Sequence, residues 1–510
     1  MKVSLNMIQY GDFPILTGVR WNALGKPLEW SFMPGRRVIR EYDLNGRTTS
    51  IRSIGTSGLD LRYEYDAAGQ LVRTRDRDAE VQWKYDRLGR LVESSDIAGP
   101  VQKYAYDLTG NRTSFTDAAG VLSYEYPVAS HRLVRAGDSA REYDASGRTS
   151  TAGDARFTYN ADGQVEDAYV GGKLVASYGY NSWGERVLTR RGSTETITVY
   201  DENGHWIGDY APDGRALRQI IWMGDHPVTI MDGTRLYAIE TDHAGTPRSV
   251  YDRLLRKTVW SWPASGEAFG MDPPNEDPDG DGISFSLDMR FPGQRYDGST
   301  GVTYNHLRDY DASTGRYLQS DPLGVMGGAS TYSYAYGSPL AGSDPHGLLV
   351  KATYSISDNE LTVEDLDHPG RMYSVDASSG GTFVRSGWFD GRPEQQIPVG
   401  QYQILSHRRD DWFRLDPVDE FLMDDVHQPS GRQAFRLHPG TNSVGCITVN
   451  SLSPEALFYG DVVAPMIRNT SSVQMTDYSS RSLIPGAFPI RYGGPVETPI
   501  DYLGTLEVKP

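Results

Sequence analysis

From its start to about residue 348 the chain alternates apolar and polar positions with a period of two, and short polar words interrupt the alternation at regular intervals. Stretches such as LRYEY (61–65) and VQWKY (81–85) lead into these words, and LVRTR (71–75) and LVESS (91–95) lead away. A two-residue period over such lengths is that of a half-buried strand, so each unit predicts a hairpin. The word itself is aromatic-Asp/Asn-x-x-Gly-Arg. It reads YDLNGR at Tyr42, YDAAGQ at Tyr65, YDRLGR at Tyr85, YDLTGN at Tyr106, YDASGR at Tyr143, YNADGQ at Tyr159, YNSWGE at Tyr180, YDENGH at Tyr200 and YAPDGR at Tyr210, with WNALGK at Trp21 a degenerate copy. Most neighbours are 16 to 23 residues apart. Asp or Asn opens a turn through its side chain, and the glycine supplies a position of positive φ. One hairpin cannot bury its apolar face, so the units must join a continuous sheet.

Beyond residue 349 the words stop and a non-repeating β pattern begins. YSISDNELTVED, GRMYSVDAS, IPVGQYQIL, FRLHPG and GCITVN read as strands, and the best helical stretch is SPEALFYGDVVAP, with Ser453 as N-cap and Pro454 in the first turn. The tail from about residue 461 to Pro510 carries no readable motif.

Composition sharpens this to an all-β class. Tyr (32) outnumbers Phe (14) and Gly reaches 55, as strands joined by tight turns require. The net charge is −17, and residues 349–510 hold 13 Lys/Arg against 21 Asp/Glu, which disfavours a nucleic-acid partner and a nuclease. No signal-peptide core forms at the N-terminus, since Asn6, Gln9, Tyr10, Gly11 and Asp12 interrupt it, and no stretch is apolar enough to insert stably in a membrane. Export is therefore expected by a route without a signal peptide. Cys446 is the one cysteine, so no internal disulfide is possible.

Periodicity alone also fits a generic β-solenoid or propeller. The specific words go further: the YD units, YAIETDHAGTPRSVYD from Tyr237 and the run RFPGQRYDGSTGVTYNHLRDYDASTGRYLQSDPLG…SDPHGL from Arg290 to Leu348 resemble the Rhs/YD-repeat family across essentially all of residues 1–348. The resemblance implies a β-sheet wound into a hollow shell, here a partial one, enclosing a variable toxin encoded after the closing motif. It divides the chain into a repeat shell (1–287), a closing segment (288–348) and a C-terminal domain (349–510). Two matching words, DPLG at Asp321 and DPHG at Asp344, precede Leu348. Two carboxylates that share a proton can supply a base for water and an acid for a carbonyl. In resembling Rhs proteins the paired Asp residues cut the chain after the Leu of DPxGL, which here implies Asp321, Asp344 and the Leu348–Leu349 bond. The plain alternative is that both words are turns.

In the last domain the informative word is FRLHPGTNSVGCITV. Cys446 follows Gly445, and Ser443 lies between it and His438. A histidine near a thiol takes its proton, and small residues beside the thiol leave backbone N–H groups free for an oxyanion. The plain alternative is a buried cysteine and a turn histidine. With IPVGQYQIL, the segment resembles the L,D-transpeptidase (YkuD-like) motif, and especially the type VI secretion effectors of that superfamily that attack peptidoglycan. The resemblance implies Cys446 as nucleophile, His438 as base, Ser443 as a polar partner and the Gly445 and Cys446 amides as oxyanion donors. Thr448 stands where that family often has Arg, and the His-to-Cys spacing is short, so His427 is held as a reserve base. Arg436 is a candidate for binding a substrate carboxylate.

The expected function is that of an antibacterial Rhs effector, a peptidoglycan L,D-carboxypeptidase or transpeptidase acting in the target periplasm. Its expected partners are stem peptides, an immunity protein and a delivery apparatus of the type VI kind. The rivals are a surface adhesion protein whose C-terminal domain binds carbohydrate on Trp388, Phe389, Trp412 and Phe413, and an Rhs toxin of other chemistry such as a nuclease. No cofactor and no metal are expected. Asp277, Asp279, Asp281, Gly282 and Asp288 have calcium-loop spacing, but Pro278 interrupts it, the final Glu is missing and no helices flank it, so a solvated loop is expected.

Overall fold

The computed structural model describes residues 7–321 apart from 11–12, 24, 33–34, 56, 68, 78, 97–100, 129 and 202–203, then 330–340, and beyond residue 349 the strands given below with a few positions between them. The chain divides into two compact units. One comprises Met1–Asp66, Leu71–Ser320 and Ser330–Pro345, the other Ala67–Gln70, Asp321–Ala329 and His346–Pro510.

The first unit is dominated by a 26-stranded sheet running from Met7–Tyr10 to Lys257–Ser261, in which each strand pairs antiparallel with the next in sequence. The repeated word explains why so long a sheet holds together. At Asp43 the backbone N–H donates to the Arg47 carbonyl (2.9 Å) and the Gly46 N–H donates to the Asp43 carbonyl (3.0 Å). One Asp43 carboxylate oxygen accepts from the N–H groups of Asn45 and Arg47, and the other from Arg47 Nε at 2.7 Å. Gly46 sits at φ +78°, where a Cβ would be strained. Asp86 and Arg90 repeat the arrangement.

The outer letters of the word tie one turn to its neighbours. The guanidiniums of Arg47, Arg90 and Arg148 each lie 4.8 Å from the ring of the next opening tyrosine, Tyr65, Tyr106 and Tyr159 respectively. The hydroxyls of most opening tyrosines donate back to the start of the preceding outgoing strand: Tyr65 to the Thr48 carbonyl, Tyr85 to Leu71 (both 2.8 Å) and Tyr159 to Thr149 (2.6 Å), whereas that of Tyr106 makes no such bond. This is why the position is tyrosine and not phenylalanine. The strand register slips by one residue just before it, between Glu41 and Tyr42, Glu64 and Tyr65, and Lys84 and Tyr85, a bulge that re-aims the ring over the turn.

The sheet also meets itself. Arg36, in strand Arg36–Tyr42, forms a bidentate pair with Glu240, in Arg235–Thr241, at 2.6 and 2.9 Å, with both side chains at most 1% exposed. Trp30, Phe32, Ile51, Leu61 and Trp83 share a core with Met223, Val228, Ala238, Tyr251 and Phe269. Where the two walls face each other the space is therefore filled with side chains. A small four-stranded sheet from Arg295 to Tyr317 completes this unit.

The second unit contains a different sheet. Val350–Ser355, Glu360–Asp365, Arg371–Ser379, Ile447–Asn450, Arg436–Gly440, Phe413–Pro417, Gly400–Leu405 and Thr498–Lys509 pair in that order, and Thr498–Lys509 pairs again with Val350–Ser355. Eight strands thus close into a ring around a core that includes Tyr354, Val363, Tyr402, Phe413, Leu415, Leu437, Ile447 and Leu506. Val473–Asp477 pairs antiparallel with the first five residues of Thr498–Lys509. The tail without a readable motif is thus a principal part of the sheet, because Thr498–Lys509 pairs along both edges. Helical backbone appears at Tyr459, Val463, Ala464 and Ile467, all buried in the same core; Ser453 and Pro454 lie outside the described residues.

Candidate functional site

The route to the junction is a heavily buried segment. All residues of Val302–Asn305, Arg308–Asp311 and Arg316–Tyr317 are buried, and opposite charges from the large sheet hold them there. Asp297 Oδ2 accepts from Tyr178 Oη at 2.6 Å and from Arg191 Nη2 at 2.7 Å. Burial alone would raise its carboxyl, but Arg191, hydrogen bonds from Ser299 and Tyr178, and Arg186 bring it down to about 2. Arg295 pairs with Asp209 at 2.8 Å and lies 3.7 Å from the centre of the Trp206 ring. Arg141 pairs with Asp311, and Arg186 stands 4.4 and 4.2 Å from the rings of Tyr178 and Tyr304. Burial also raises the carboxyl of Asp309, against Arg186 and a 2.8 Å hydrogen bond from Gln319.

Sequence reasoning singled out none of these clamps. Their only trace in the sequence is arginine at strand positions, and pairing an arginine with an acid about 90 to 170 residues away takes the fold. They lead to Asp321, next to Ser320 in sequence and 8% exposed. Its expected companions Asp344, Leu348 and Leu349 lie outside the described residues.

In the second unit the two halves of the Cys/His word occupy neighbouring strands. Arg436–Gly440 and Ile447–Asn450 run parallel, with Leu437 opposite Ile447 and His438 opposite Thr448. Leu437 and Ile447 are both fully buried and fix this register. Residues 441–446 alone join the two strands, whereas parallel neighbours usually need a dozen or more connecting residues. Cys446 immediately precedes Ile447 in sequence; it lies outside the described residues, as do Ser443 and Gly445. Arg436 begins its strand opposite Arg414, and His427 pairs with Arg432 in a separate two-stranded element. The carbohydrate platform needs correction at one position. Phe413 is fully buried, because its strand presents it to the core opposite Leu437, and it cannot be a surface aromatic. Trp388, Phe389 and Trp412 lie outside the described residues.

With this geometry in hand, known proteins give a consistent picture. The teneurin YD-shell family model matches residues 74–326 and the RHS repeat model matches residues 42–81. A double-stranded DNA deaminase toxin A from Burkholderia cenocepacia (strain H111) is 28% identical over 376 residues, 64% of this chain and 25% of that protein. An uncharacterised protein, YibJ of Escherichia coli (strain K12), is 31% identical over 173 residues, 34% of this chain and 69% of its own length. Among solved structures, the Photorhabdus luminescens Tc holotoxin pore contains a chain that superposes with a TM-score of 0.54 at 17% identity, covering 66% of this chain and 19% of that one. At that identity the likeness speaks for the fold. This chain spans about a quarter of the length of the toxin A it matches. Matched words, a continuous hairpin sheet and the turn chemistry agree, and through residues 42–326 the chain belongs to the Rhs/YD-repeat shell family.

Proposed function

We propose that this chain is the closing part of an antibacterial Rhs effector whose C-terminal barrel cuts peptidoglycan stem peptides through Cys446. The observation that carries the reading is the parallel register of His438 with Thr448, two residues past Cys446, fixed by the buried pair Leu437 and Ile447. In this reading His438 takes the thiol proton and the thiolate attacks the carbonyl of the diaminopimelate residue. The Gly445 and Cys446 amides hold the oxyanion, and the terminal D-alanine leaves with the proton from His438. Water then releases a tripeptide, or a D-amino acid takes its place. Arg436 meets the substrate carboxylate, Ser443 supports the site and His427 is the alternative base. Release from the shell follows cleavage of the Leu348–Leu349 bond by Asp321 and Asp344. An immunity protein covering Cys446, and delivery by an apparatus of the type VI kind without a signal peptide, complete the proposal.

The toxin A relative favours a second reading, chemistry on nucleic acid. Against it stand the net charge of −8 over residues 349–510 and the single cysteine, which cannot furnish the two cysteine ligands of a zinc deaminase site. The test is to direct the chain to the periplasm of a susceptible bacterium as wild type or Cys446→Ala and analyse stem peptides by mass spectrometry. Tetrapeptides should fall several-fold only with Cys446 intact. Unchanged stem peptides, or toxicity that persists in the cytosol with Cys446→Ala, would sink the reading.

A further inference from the structure

The loop between strand Lys257–Ser261 and the closing segment is fastened at its base. Ser261 and Asn275 exchange backbone hydrogen bonds of 2.9 and 2.8 Å, and the Phe285 N–H donates to the Glu276 carbonyl at 2.7 Å. Inside it Asp277 accepts from the N–H groups of Asp281 and Gly282, both at 3.1 Å, and Asp281 accepts from that of Ile283 at 2.8 Å. These bonds curl the chain so that one carboxylate oxygen from each of Asp277, Asp279 and Asp281 lies within 4.8 Å of the others. Oxygens bound to one calcium ion at about 2.3–2.6 Å can be no farther apart than about 5 Å, so the three oxygens fit around a single ion.

Asp279 supplies an independent observation. Its side chain is only 9% exposed, and its Oδ2 is shielded from solvent yet receives no hydrogen bond. Lys257 Nζ makes only a long ion pair with this oxygen, at 3.5 Å, and the lysine side chain is half exposed. A shielded carboxylate oxygen with two further carboxylates beside it is unfavourable unless positive charge meets it. Three carboxylates against one lysine leave the cluster two positive charges short of neutrality. A divalent cation supplies that amount.

We propose that Asp277, Asp279 and Asp281 form a calcium site. All three ligands are hard carboxylate oxygens, which points to calcium or magnesium, and water completes the shell. Calcium is favoured because three side chains on one curled loop tolerate its loose geometry better than a strict octahedron. Asp288, which would be the twelfth-position ligand of a helix-flanked loop, instead lies 3.6 Å from Arg295 and is half exposed. Without it the affinity belongs with the weak extracellular class, about 10⁻⁴–10⁻³ M. Phe285, where the loop ends, stands 4.7 Å from Tyr237 and leads to the buried Leu287, Met289 and Phe291. Calcium therefore fastens the entry to the closing segment.

The experiment is calorimetric titration of the chelator-treated full chain with calcium chloride, with magnesium chloride as a second arm. It includes Asp279→Asn and, because Asp279 is buried, Asp281→Asn at an exposed position. Protease cleavage within residues 276–285 is followed in parallel. The expected result is one saturable calcium site in the wild type, weakened at least tenfold in both variants, with calcium slowing loop cleavage only in the wild type. No saturable uptake at millimolar calcium, or uptake undiminished in Asp281→Asn, overturns the proposal. Equal affinity for magnesium overturns the choice of calcium.

Discussion

The fixed residues of the repeated word, tyrosine, aspartate, glycine and arginine, make separate contacts, so the word can be tested letter by letter. Tyr85→Phe keeps the ring and removes only the hydroxyl that donates to the Leu71 carbonyl at 2.8 Å. Loss of one such bond costs about 1 kcal/mol. Tyr65→Phe and Tyr159→Phe remove the equivalent bonds in other repeats, and distant sites add, so the triple variant should lose about 3 kcal/mol in denaturant unfolding. No loss in the triple variant would show that the ring, not the hydroxyl, selects tyrosine. These bonds are local, which is why the word was readable: aspartate, glycine and arginine sit within five residues of each other and the turn needs nothing distant. The reach of Arg47 to Tyr65 was not readable, because it depends on the strands between them pairing in register.

Among elements, the closing segment depends on charge pairs with the large sheet. Asp297 is 2% exposed and its carboxyl lies at about 2 against an ordinary 3.8. A depressed carboxyl stabilises the fold above its unfolded value and loses that contribution as pH falls through the folded one. About 2 kcal/mol of stability should therefore disappear between roughly pH 4 and pH 2. Unfolding followed against pH should show that slope in the wild type and a shallower one in Asp297→Asn. An identical slope would assign acid lability to other groups. Hairpins were legible because their period is written in consecutive residues. The partners of Asp297, Asp209 and Asp311 were not, because a buried pair leaves no mark on either neighbourhood. The ring of the second unit was half legible: five of its segments read as strands, yet Thr498–Lys509, which closes it, has Pro499 near its start and Leu503 and Gly504 breaking its alternation.

At the scale of the whole molecule, the proposed release makes the two parts separable products. Asp344→Asn and Asp321→Asn should each leave a single uncut band on a denaturing gel, where the wild type yields a fragment beginning at Leu349. A cut band in either variant would remove that aspartate from the reaction. The candidate catalytic word was legible because its residues are close in sequence, whereas the pairing of Arg436–Gly440 beside Ile447–Asn450 required the structure. The ring carries a further consequence for synthesis. Its first strand, Val350–Ser355, finds its parallel partner only in residues 504–509, so a ribosome must finish nearly the whole domain before the barrel can close. Any chemistry that needs the closed barrel is thus withheld from the producing cell while the chain is being made, and the repeat sheet, whose strands pair in order of synthesis, has a head start in folding.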